Sequence, residues 1–151
     1  MQGEHAVFHD GGRLLIGSHS AMLQPPRGYR PLAWLGLVAN LLLIPLTLAV
    51  ILLQPTWRTV NLAVGTAAVL PTAAVGIVAS VALLRWRAWG QILAIVALAM
   101  GLAVGVPYGI VRLALLGEGR PFEALICAAV WTAMVAALVF WCRPAIRRYL
   151  L

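Results

Sequence analysis

Apolar residues run almost unbroken in four stretches, and each stretch stops where a charge meets Pro, Gly or Trp. The first, Leu32 to Leu53, lies between Arg30-Pro31 and Gln54-Pro55. The second runs from about Val60 to Leu84 and stops at Arg85-Trp86-Arg87. The third runs from Ala88 to Leu116, where Gly117-Glu118-Gly119-Arg120-Pro121 breaks it. The fourth, Phe122 to Cys142, is closed by Arg143-Pro144. About 20 apolar residues in helical form cross the hydrocarbon of a bilayer. The pattern therefore predicts an all-α, polytopic membrane protein. A four-helix transmembrane bundle (about 32–53, 60–84, 88–116 and 122–142) follows an N-terminal segment, 1–31, and precedes a basic tail, 143–151.

Composition agrees with the pattern. Hydrophobic residues make up 63% of the 151 positions and charged residues 10%, whereas soluble domains are about one quarter charged. All 11 basic residues are Arg, against 4 acidic ones. A net charge of +7 in a soluble domain would suggest nucleic acid. Here the arginines other than Arg112 occupy short loops and tails, so no nucleic acid partner is expected and the charges serve as topology signals. Arg13, Arg27, Arg30, Arg85, Arg87, Arg143, Arg147 and Arg148 fall on one side, and Arg58, Arg112 and Arg120 on the other. The bias predicts a multi-pass protein of a bacterial inner membrane with both termini cytoplasmic. Trp34, Trp86, Trp89 and Trp141 fall at the same inner boundary, Trp57 at the outer one, and only Trp131 in mid-span. The first residues show no secretory signal pattern.

Helices in lipid associate where small residues let backbones approach. Three spans carry such residues four apart: Ala68, Thr72, Gly76 and Ser80; Ala97, Gly101, Gly105 and Gly109; and Ala124, Ala128, Thr132 and Ala136. They are expected to pack within the bundle, with a homo-oligomer seam on the glycine run as the rival use. The first span has no comparable stripe, and its Leu35, Leu37, Leu41, Leu42, Leu43 and Leu46 suit lipid or a partner. Pro45, Pro71 and Pro107 lie inside spans, where Thr47, Thr66 and Thr72 are at hand to satisfy the carbonyls that proline frees.

Chemistry is sparse. Asn40 and Arg112 are the polar candidates within the spans, Asn40 for an interhelical hydrogen bond and Arg112 for a contact with Glu118 or Glu123. The absence of Asp, Glu or His deep in a span argues against proton-coupled exchange and against imidazole-held haem. His5, His9 and His19 are all N-terminal and lack further ligands, so neither metal nor cofactor is expected. Cys127 and Cys142 stand about 22 Å apart on one helix, too far to pair. The stretch His5 to Ile16 reads as a hairpin around Asp10-Gly11. Its Val7, Phe8, Leu14, Leu15 and Ile16 are apolar enough to seek a docking surface.

Together these features favour a non-enzymatic accessory or scaffolding subunit, with the lipid bilayer and other membrane subunits as partners. Two rivals remain: a small homo-oligomeric transporter or channel built on the Gly101/Gly105/Gly109 helix, and a lipid-acting enzyme. The enzyme requires Arg112 and Glu123 to line a cavity.

Overall fold

The computed structural model describes residues 26–115 and 119–150. The N-terminal candidates Val7, Phe8, Leu14, Leu15 and Ile16, the histidines, the proposed hairpin and Glu118 lie outside that range. The described chain is all-helical, with four helices long and apolar enough to cross a membrane. Helix α1 is Tyr29–Leu53. Helix α2 is the composite span Pro55–Leu84, α3 is Trp89–Leu115, α4 is Arg120–Trp141, and a short α5, Pro144–Leu150, follows.

The limits follow from local chemistry. Gly28 and Gly119 precede α1 and α4 at φ 90° and 79°, a backbone that only glycine adopts without cost. Pro121 stands in the first turn of α4, where its missing N–H costs no bond, and Glu123 places a negative charge near the helix's positive end. Pro55 closes α1 and opens α2. In α1 and α2 the structure reaches outward beyond the apolar runs: α1 begins at Tyr29 rather than Leu32, and α2 at Pro55 rather than Val60. Turn-forming polar residues there still hydrogen-bond as helix. The tail, expected as a basic extension, contains α5, which returns Ile146 to a buried position, 1% exposed.

Helix α2 is not uniform. A 3-10 turn, Pro55–Trp57, leads into α-helix Arg58–Val64, a π-helical turn Gly65–Val69 and α-helix Leu70–Leu84. The backbone N–H of Leu70 donates to Gly65 O, closing the wider π ring just before Pro71. Such turns are one way for a membrane helix to absorb a proline. The threonines play a different part from the one expected. Thr47 Oγ1 donates to Leu43 O at 2.7 Å and Thr66 Oγ1 to Leu62 O at 2.7 Å, rather than to the carbonyls four residues before Pro45 and Pro71.

Helix α1 packs on α2, α2 on α3 and α3 on α4, whereas α1 and α4 are not packed along their lengths. The bundle is thus open on one side. At the end shared by the start of α1 and the α2–α3 connection, here the proximal end, an aromatic cluster closes it. Tyr29 stacks on Trp86 with centroids 4.9 Å apart and meets Trp141 edge-on at 5.5 Å. Its hydroxyl donates to Leu83 O at 2.9 Å, and Gln91 Nε2 donates to Trp141 O at 2.6 Å. Trp86 has φ 59°, with its N–H on Leu83 O and that of Arg87 on Ala82 O. This is the Schellman ending of α2, carrying Trp where glycine is usual. Stacking against Tyr29, with the Arg30 guanidinium 5.6 Å from the ring centroid, holds the strained residue in place.

Candidate functional site

The open side leads into a cavity of about 530 Å³ lined by all four long helices. Trp141, Leu83 and Ala33 bound it proximally, and Asn61 and Tyr108 bound it at the far end. Its wall is apolar apart from Asn40, Thr47, Asn61, Thr72, Ser80 and Tyr108, and no charged residue contributes.

The wall between α1 and α2 is built from interlocking small and polar positions. Asn40 seats its side-chain amide on the α2 backbone at Gly76, so close that any Cβ there would collide with it. Asn40 Nδ2 donates to Gly36 O on its own helix at 2.7 Å, and a Cβ at Gly36 would stand 3.0 Å from Ser80 Oγ. The α1 packing face is therefore Ala33, Gly36, Asn40 and Thr47. Reading only for small residues missed it, although Gly36 and Asn40 stand four apart. Asn40 works here as a space-filling knob more than as an interhelical donor. Leu41 and Leu42 are exposed away from the cavity, whereas the exposed Leu35 and Leu46 border it.

The glycine run of α3 divides by position. A Cβ at Gly101 would sit 2.5 Å from Met134 Cε, and one at Gly109 would sit 2.6 Å from the Trp131 ring. Both glycines are holes filled by large knobs of α4. Ala97 is buried beside the cavity, and Gly105 opens directly into it, with no atom within 4 Å of a Cβ. On α2, Ala68, Thr72, Gly76 and Ser80 face α1 and the cavity. On α4 the small-residue stripe is not the face that meets α3. That face is Cys127, Trp131 and Met134, while Ala128, Thr132 and Ala136 are exposed and Ala124 is half-buried. The contact pairs large with small, so glycines on α3 select bulk on α4 and the alanines are left outside. Cys127 and Cys142 are free thiols.

At the far end a polar chain ties the helices together. Asn61 Nδ2 donates to Gln54 Oε1 at 3.3 Å, and Tyr108 Oη donates to Asn61 Oδ1. One turn beyond Tyr108, Arg112 Nη2 pairs with Glu123 Oε1 at 2.8 Å, joining α3 to α4. Neither Arg112 nor Glu123 lines this cavity. Asn61, Tyr108, Gln91 and Tyr29 escaped the sequence reading. Each lies near a span end, where polar residues ordinarily face headgroups and water. The pair should be coupled: Glu123→Ala and Arg112→Ala together should cost less than the sum of the singles, by about 1 kcal/mol. A double-mutant cycle of unfolding in mixed detergent micelles measures that difference, and additive costs would make the pair a bystander.

Comparison with protein-family models, with curated proteins and with solved structures finds no match to this chain.

Proposed function

We propose that this chain is a non-enzymatic, multi-pass membrane protein that serves as an accessory subunit, receiving a transmembrane helix of a larger complex on the outer face of α4. The supporting observation is the exposed stripe Ala128, Thr132 and Ala136. Lipid gains little from small residues on a helix, whereas a second helix gains close backbone approach and dispersion contact. The rival homo-oligomer seam is weakened because Gly101 and Gly109 are already filled by Met134 and Trp131 of the same chain. The arginine bias supports a cytoplasmic orientation of the proximal end.

Extraction into native nanodiscs and measurement of particle mass tests the reading. The expected result is a hetero-complex that dissociates when Ala128 and Ala136 are both replaced by Leu, while the helical signal and thermal unfolding of the chain stay unchanged. A particle that is a small multiple of the chain's own mass would transfer the proposal to the homo-oligomeric transporter or channel. A monomer in native membrane discs would remove both.

A further inference from the structure

We propose that the cavity between the four helices is a binding site for a neutral, chain-shaped amphiphile drawn from the bilayer, whose one uncharged polar group is held at Ser80 and Asn40. This inference is independent of whether a partner docks on α4.

Three observations converge on it. The first is size and lining: about 530 Å³ falls within the roughly 300–1,000 Å³ of small-molecule sites, which are mostly apolar with a few placed polar groups. No charged side chain lines the wall, so an ionised headgroup would be held there without a counter-charge and excluded. The second is access. Tyr29 and Trp141 close one end and the Asn61–Tyr108 pair bounds the other, while α1 and α4 stay apart along their lengths. Entry is therefore sideways, from among lipid chains.

The third observation fixes the polar group. Thr47 spends its hydroxyl on Leu43 O, and Asn61 and Tyr108 satisfy each other. Thr72, half-buried on the same α2 wall one turn from Gly76, also makes no hydrogen bond to another described residue and adds a second hydroxyl to the wall that carries Ser80. Ser80 is only 6% exposed, lines the cavity and makes no hydrogen bond to another described residue. Asn40 uses its amide nitrogen on Gly36 O, and its carbonyl oxygen accepts from no described residue. The Ser80 hydroxyl and the Asn40 carbonyl oxygen lie along the α1–α2 wall beside Gly36 and Gly76. Neither is sealed from the cavity, so the wall offers a donor and an acceptor to a ligand. An alcohol group meets both, and a carbonyl meets Ser80. The lining beyond these groups is apolar and uncharged, which restricts the rest of the ligand to hydrocarbon, either a straight fatty chain or an isoprenoid.

Photolabelling of the full chain in phosphatidylcholine nanodiscs tests this. Diazirine derivatives of a long-chain fatty alcohol, a prenyl alcohol, the matching alkane and a permanently charged trimethylammonium analogue serve as probes, with labelled residues mapped by peptide mass spectrometry. At least one alcohol should label cavity-lining residues saturably, and the better of the two names the chain type. The charged analogue should label only outward faces. Gly105→Phe, which places a ring in open space, should lower cavity labelling at least about tenfold. Ser80→Ala should weaken alcohol binding roughly fivefold and leave the alkane unchanged. Labelling that never saturates, stays on the outer faces of α1 and α4, or is equal for the charged probe would overturn the proposal. If Gly105→Phe does not yield a monodisperse protein, the Ser80→Ala comparison decides, and equal loss for alcohol and alkane overturns it.

Discussion

Replacing Tyr29 by Ala should destabilise the protein by about 3–5 kcal/mol, the range for deleting a buried aromatic ring. Tyr29 is 1% exposed and belongs to a cluster with Leu83, Trp141 and Ile146, so its ring joins α1, the end of α2, α4 and α5. Three contacts disappear together: the stack on Trp86, the edge contact with Trp141 and the hydroxyl bond to Leu83 O. Trp86 then keeps its left-handed backbone with one support fewer. Tyr29→Phe isolates the hydrogen bond and should cost only about 1 kcal/mol. Denaturation in mixed micelles measures both, and protease protection of the C-terminal turn reports whether α5 comes loose. An alanine variant as stable as the parent would show that the proximal cluster merely fills space.

Gly90→Ala should also destabilise, by about 1–3 kcal/mol, as overpacking does. A Cβ at Gly90 would stand 2.8 Å from Ala82 Cβ, 2.9 Å from Leu83 N and 3.1 Å from Ala79 O. Two of these are backbone atoms of α2 and cannot rotate away, so α3 must move. The same substitution at Gly105 meets nothing within 4 Å and should stabilise by up to about 1 kcal/mol, the helix-propensity gain of Ala over Gly. Opposite signs for one chemical change would map where α3 is clamped and where it borders open space. Equal effects would deny that difference.

The four long helices were legible because apolar runs bounded by Arg, Pro and Trp are long-range signals that need no tertiary knowledge. Which way each helix faces was less legible. The stripe on α2 lies toward α1 and the cavity, and Gly101 and Gly109 do meet another helix. On α4, spacing alone could not choose between the small face and the face of Cys127, Trp131 and Met134, because the choice belongs to α3: a groove of glycine prefers a large knob. Asn40 was visible as polar but not as a knob, since its role depends on Gly76 standing opposite. The cavity was not legible at all. It arises because α1 and α4 do not close on each other, and no residue pattern within either helix records that separation.

The π-turn at Gly65–Val69 means that α2 carries one residue more than an even winding would need. Each residue turns an α-helix by about 100°, so the supernumerary position sets the far half of α2 by that angle against the near half. Asn61 thereby meets Tyr108 on α3 while Gly76 and Ser80 meet α1. Excising one residue from this turn would leave every remaining side chain chemically intact and the hydropathy profile nearly unchanged. It would nonetheless swing Asn61 off its partner, so the polar seal at the far end depends on chain length at this point as much as on any residue in it.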